Sequence, residues 1–182
     1  RRADLFEPRT TGSLHICYLD DYTNRIRVVK DNQDAYGHLV FDHLNGEDAV
    51  EIIERDDGYI DTSGGPIAYF TRYQEWPLVE RKAMRYARGK VLDIGCGAGR
   101  HSLHLQDKGF DVTGVDVSPL AVEVCRRRGL REAKVVPISQ VSLVLGRFDT
   151  ILMMGANFGL FGDFQRARRL LKRLYRTTTD GA

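Results

Sequence analysis

The chain runs to 182 residues, 42% hydrophobic and 29% charged, with a net charge of +2, which supplies enough apolar side chain for one core and excludes wholesale disorder. No apolar run approaches the roughly twenty residues that span a bilayer, and the first residues are charged rather than a basic leader ahead of an apolar stretch, so a cytoplasmic location without a membrane partner is expected. Cys17, Cys96 and Cys125 are unevenly spaced and have no neighbouring Cys or His in a ligand pattern, so neither a disulfide framework nor a metal site is expected.

In chain order, Arg1 to Thr11 reads as loose, followed by a strand at Arg25–Lys30 and a helix over Asn32–Leu44. Asn45-Gly46 separates that helix from another expected over Glu47–Arg55. The segment Asp31–Asp61 holds ten acidic residues against the single Arg55, which discourages a nucleic-acid backbone from lying along it. Asp56–Pro66 is rich in turn formers and reads as a loop. A helix over Thr71–Ala87 carries Trp76, Val79, Ala83 and Tyr86 as its expected buried stripe, and Gly89 ends it. Residues 1–68 are therefore expected to form a mostly helical N-terminal extension or cap with an acidic segment, and residues 69–182 an α/β domain.

The most informative stretch follows. Lys90–Ile94 reads as a buried strand that breaks into Asp93-x-Gly95-x-Gly97-x-Gly99 and opens a helix. Alternating glycines let the backbone turn sharply and come close to a ligand. A dinucleotide-binding turn would read G-x-G-x-x-G, which this is not. Gly109 and a second strand, Phe110–Asp116, come next, with Asp116 at the distance from the loop expected of an acid that accepts from ribose hydroxyls. Ser118 as N-cap and Pro119 in the first turn open a helix to Arg128, whose arginines suit a helix C-terminus. Strands at Lys134–Ile138 and Phe148–Met154 and a helix over Asp163–Arg176 complete the chain. Strands alternating with helices imply a parallel sheet. Cys96, inside the turn where a small residue is wanted, reads as packing rather than as a nucleophile, and Cys125 as core.

The D-x-G-x-G-x-G spacing and terminal Asp116 resemble class I, Rossmann-like S-adenosylmethionine (SAM) dependent methyltransferases, of the small-molecule type. The resemblance covers about Tyr69 to Arg176, and its specific part is Val91–Asp116. It implies a doubly wound parallel sheet, SAM as methyl donor and S-adenosylhomocysteine (SAH) as product. By the same resemblance Gly95, Cys96, Gly97 and Gly99 line the methionine part of SAM, Asp93 helps hold its amino group, Asp116 holds the ribose and Val117 packs near the adenine. Met154, at the carboxyl end of the fourth strand, borders the methionine portion, and Tyr69, in a region that often folds over SAM, is a further contact, with packing on the Trp76 helix as its other reading. Where many relatives place an acid or amide for the adenine amino group this chain has Pro137-Ile138-Ser139-Gln140, leaving Ser139 or backbone groups as substitutes. The family's sheet has seven strands and four are counted here, so the sequence reads as a C-terminally shortened methyltransferase whose fourth-strand edge should pair with something or promote aggregation.

The acceptor is less legible. Positioning alone supplies much of the acceleration in methyl transfer, so no catalytic base is required, and none is assigned. Gly155-Ala156-Asn157-Phe158-Gly159-Leu160-Phe161 lacks the Asn/Asp-Pro-Pro-aromatic signature of amino-group methylation, and no cysteine nucleophile sits at this strand end. Asn157, Phe158 and Phe161 either shape an acceptor pocket or pack the loop. His101 and His104 read as helix packing. Arg166, Arg168, Arg169, Lys172, Arg173 and Arg176 lie mainly outside the apolar stripe of the last helix, either as a solvated face or as an RNA contact, without interleaved aromatics to stack bases. A small-molecule acceptor is expected, with an RNA or protein acceptor, or a catalytically silent SAM-binding module, as alternatives.

Overall fold

The computed structural model describes residues 13–18, 29–54, 57–62, 64–155 and 157–181. The chain enters through β1 (Ser13–Tyr18), helix α1 (Ala35–Leu44), β2 (Ala49–Glu54) and β3 (Ile60–Thr62). These strands form a small sheet in the order β1-β2-β3, with β1 and β2 parallel and β2 and β3 antiparallel. The described part of the extension is therefore a three-stranded sheet beside α1 rather than mostly helical, and two local expectations are corrected with it. Residues 47–55, read as a helix, hold a strand, because Val50, Ile52 and Ile53 are β-branched and a strand lies on either side to pair with them. The Asp56–Pro66 loop contains β3, which pairs Ile60 with Glu54 across a turn at Asp57-Gly58. The strand expected at Arg25–Lys30 falls largely outside the described residues; Val29 and Lys30 are irregular, and the Val29 amide donates to the Val117 carbonyl.

The helix expected over Thr71–Ala87 is broken into a 3-10 turn at Tyr73–Glu75, α2 (Leu78–Ala83) and a second 3-10 turn at Met84–Tyr86. Pro77 is the cause: it lacks an N–H and drives the preceding Trp76 to an extended ψ of 151°. The break rotates the expected stripe, so that Trp76 and Met84 are buried while Val79 and Tyr86 are 72% and 83% exposed.

The main sheet contains β4 (Lys90–Ile94), β5 (Asp111–Asp116), β6 (Glu132–Val135) and β7 (Thr150–Leu152), all parallel, in the order β6-β5-β4-β7. It is the doubly wound α/β sheet expected. Strand β6 begins two residues earlier than expected and β7 is shorter. Helices α3 (Arg100–Asp107) and α4 (Pro119–Arg127) follow β4 and β5, and α5 (Phe164–Tyr175) comes last. Alternation along β4 sets the two cores. Val91 packs with Leu105, Val112, Leu152 and Trp76 on one face, while Leu92 and Ile94 pack with Val115, Phe148, Leu170 and Leu174 on the other. Strand β4 has β5 on one side and β7 on the other, so its carboxyl end is the point where the winding reverses, the usual ligand crevice of such sheets.

Just before β7, Phe148 bridges Thr178 in parallel fashion, with its amide donating to Thr177 and its carbonyl accepting from Thr179. The edge expected to lie open is thus paired at its start. A cavity of about 630 Å³ flanks β7, lined by Ile151, Met153, Phe161, Leu171, Leu174 and Tyr175. None of the glycine-loop residues lines it.

Candidate cofactor site

The loop between β4 and α3 is packed from three sides. Gly95, Gly97 and Gly99 have φ of 71°, 54° and 81°, a region that side-chain-bearing residues rarely adopt. Space adds a second reason. A Cβ on Gly95 would strike the Asn157 amide and one on Gly97 the Tyr36 hydroxyl, while Gly99 packs on the Cys125 sulfur. The Gly95 and Cys96 amides both donate to the Val115 carbonyl, at 2.8 and 3.1 Å, which ties the loop to the end of β5. Cys96 faces Cys125 with 3.8 Å between sulfurs, and Cys125 donates to the Gly97 carbonyl. Both thiols are buried; contact with Cys125 and burial push the Cys96 thiol well up, against nucleophilic use.

Asp116 stands at the carboxyl end of β5. Its two oxygens accept from the Gly97 amide at 2.9 Å and the Ser118 amide at 3.0 Å, so the acid is fixed against the glycine loop. Burial raises its pKa, and the backbone amides of Ser118, Gly97 and Val117 oppose that rise. With three backbone amides against it, the carboxylate keeps about one of its roughly four lone-pair sites for a further donor. Asp93 is 1% exposed and accepts from the Ser102 hydroxyl at 2.7 Å, which bonds the loop's first residue to α3; burial raises its pKa too.

The other expected site residues surround this point unevenly. Val117 is half-buried beside Val29, and Tyr69 is half-buried with its ring edge-on to Tyr36 at 5.0 Å. Ser139 is half-buried in a 3-10 turn after β6. Met154 packs on the Trp76 cluster just past β7. Asn157 donates from its amide to the carbonyls of Ile94 and Gly95, at 3.1 and 2.8 Å, capping the end of β4. Phe161 is buried against Leu170 and Leu174 and also lines the cavity beside β7; the side chain of Phe158 lies outside the described residues.

Sequence reading missed Asp34, Tyr36, Arg100 and Arg128. Arg100 pairs with Glu80 at 2.8 Å and donates to the Ala68 carbonyl and the Thr71 hydroxyl, while His101 meets the same Glu80 at 3.0 Å. Arg128 donates to the Ala98 carbonyl and lies over the Phe70 ring. Of the other two arginines assigned to the helix dipole, Arg126 holds the Ala133 carbonyl and Arg127 pairs with Glu123. The local signals were the Asp34 cap and the Glu123–Arg127 spacing on α4; the contacts of Tyr36, Arg100 and Arg128 join segments far apart in sequence. His104 stacks on Tyr73, as packing would have it. Among the described residues no group of three or more His, Cys, Asp or Glu is placed to hold a metal, and no helix is long and apolar enough to cross a membrane.

A parallel α/β sheet with a glycine loop and a buried acid at its winding reversal defines a class of nucleotide-cofactor domains. A family model for the methyltransferase domain matches residues 91–181, and the chain belongs to this family, that of class I SAM-dependent methyltransferases. The fold is similar to that of a Bacteroides fragilis SAM-dependent methyltransferase solved with SAH, with TM-score 0.75 and 28% identity over 85% of this chain and 64% of that one. A glycine/sarcosine N-methyltransferase of Parasynechococcus marenigrum is 27% identical over 136 residues, 71% of this chain and 46% of its own length. A 23S rRNA (uracil(747)-C(5))-methyltransferase of Pyrococcus abyssi is 35% identical over 92 residues, 50% of this chain and 21% of its own. The chain spans less than half the length of the curated relatives it matches.

Proposed function

We propose that the protein transfers the methyl group of SAM to a small-molecule acceptor, releasing SAH. The observation that carries the cofactor reading is the pairing of Gly97 and Asp116: a left-handed glycine without room for a Cβ, bonded through its amide to a carboxylate that keeps acceptor capacity for a ligand. In this reading Gly95, Cys96, Gly97 and Gly99 line the methionine portion, Asp116 accepts from the ribose and Val117 packs beside the adenine, with Ser139 near its edge. Asp93 supports the loop through Ser102, and Met154 and Tyr69 border the site. SAM supplies an activated methyl on a sulfonium, so the chain's own residues need only orient the two reactants and exclude water. Residues 1–68 act as the cap on that site.

The small acceptor is supported by the glycine/sarcosine enzyme, whose similarity reaches across 71% of this chain, against 50% for the rRNA enzyme. One observation favours RNA instead. Arg168, Arg169, Lys172, Arg173 and Arg176 are exposed along α5, and Phe164 and Tyr175, 80% and 78% exposed, stand at its two ends, so aromatic faces accompany the cations after all.

Calorimetric titration with SAH, set beside an Asp116→Ala variant and an NAD control, tests the cofactor: saturable binding should weaken by about tenfold or more in the variant, and NAD should not bind. Labelled methyl from SAM should then pass into the low-molecular-weight fraction of an extract. Label in RNA, with binding that weakens steeply in salt, would replace the small acceptor by the second reading.

A further inference from the structure

Helix α1 is fixed to the first turn of α4, just past the Asp116 end of β5, by a buried carboxylate. Asp34 is 3% exposed and caps its own helix by accepting the Gly37 amide at 3.0 Å. It also accepts the Ser118 hydroxyl at 2.7 Å and the Leu120 amide at 3.4 Å, at the first turn of α4. One carboxylate therefore meets the positive ends of two helices. Gly37 is part of the device, since a Cβ there would collide with that carboxylate. Behind it, Val40 packs against Ala98, Ala121 and Val124.

The consequence lies two residues beyond Asp34. The Tyr36 hydroxyl fills the side of Gly97 where a Cβ would stand, and its ring rests edge-on against Tyr69. Burial, and after it the nearby Asp116 carboxylate, push the phenol well up. The group is therefore a neutral O–H donor at ordinary pH, beside the acid that faces the ribose.

We propose that Tyr36 is a wall of the cofactor site that contacts bound SAM or SAH beside Gly97 and Asp116, and that Asp34 is a positioning residue that holds it there through Ser118. The proposal rests on the SAM reading above. The chemistry recognised is a hydroxyl-bearing ribose, which accepts from the phenol and donates to Asp116. Because α1 lies over the loop, escape of the cofactor requires the Asp34–Ser118 contact to open, so that contact governs residence time more than encounter.

The test is SAH affinity by calorimetry and SAH dissociation by stopped flow on the full chain, each variant being melted alongside. Tyr36→Phe should weaken SAH about fivefold, the loss of one hydrogen bond. Tyr36→Ala should weaken it about tenfold or more, most of the change being faster dissociation. Asp34→Ala should also speed dissociation, yet add less than about twofold in a Tyr36→Ala background, since it acts through Tyr36. Asp34→Asn, which keeps a capping oxygen, should recover part of the loss and stands in for Asp34→Ala where the latter fails to fold. A Tyr36→Ala variant that melts cooperatively and holds SAH as the wild type does would overturn the wall. Fully additive effects of Asp34 and Tyr36 would overturn the positioning role. A wild type that does not bind SAH would sink the SAM reading itself and this proposal with it, whereas a wild type that binds beside an indifferent Tyr36→Ala sinks this proposal alone.

Discussion

At Asp116 burial and hydrogen bonding pull in opposite directions. Burial raises its pKa and is the larger effect, while three backbone amides favour the charged form. Its proton therefore binds at a higher pH than that of an exposed aspartate. Protonation costs an acceptor, so SAH affinity should fall as pH drops through that raised window and be restored above it. Asp116→Asn should bind weakly throughout and lose this step; the check is SAH titration across the acidic range, and an identical pH profile in variant and wild type would refute it. The D-x-G-x-G-x-G spacing and the acid after the second strand were legible because they are local and chemically narrow. Tyr36 was not, since nothing in Asp34-Ala35-Tyr36-Gly37 says that its hydroxyl will meet a glycine 61 positions later.

Among elements, α1 and α4 behave as a pair. Val40 is fully buried between Ala98, Ala121 and Val124, and Ser118 caps α4 through the Ala121 amide at 2.9 Å while donating to Asp34. Val40→Ala should lower stability by about 2 kcal/mol through lost transfer energy and the cavity left behind. Ser118→Ala should cost about 1–2 kcal/mol, a lost cap together with a buried carboxylate deprived of a donor. Denaturant melts of both variants measure this, and a change within error at Val40 would contradict the packing. Element identity was readable where one signal dominated: Ser118-Pro119 opened α4, and Gly89 and the glycine loop bounded β4. It failed at residues 47–55 and at Pro77. In the first case strand partners outweighed weak helical periodicity; in the second a proline broke a helix whose stripe looked continuous.

For the whole molecule, the segment leading into the main sheet is joined to the glycine-loop helix by one acid. Glu80 takes Arg100 and His101 together, with side chains 14%, 16% and 9% exposed, beneath the Trp76 ring. Removing Glu80 strands a buried guanidinium. Glu80→Gln should therefore lower stability by about 2–3 kcal/mol and, since Arg100 also holds Ala68 and Thr71, raise amide hydrogen exchange across residues 68–76. Unchanged exchange there would show that the segment is held by apolar contact alone.

What the sequence by itself determined was the parallel α/β sheet, its glycine turn and its terminal acid, because strand periodicity, positive-φ glycines and a helix cap are dictated within a few residues of themselves. Only the tertiary structure decided what closes over that turn. The Asp34–Ser118, Tyr36–Gly97, Asn157–Gly95 and Glu80–Arg100 contacts join residues 20 to 84 positions apart. Such pairings come from how helices dock on the sheet, and no local preference in the chain encodes them.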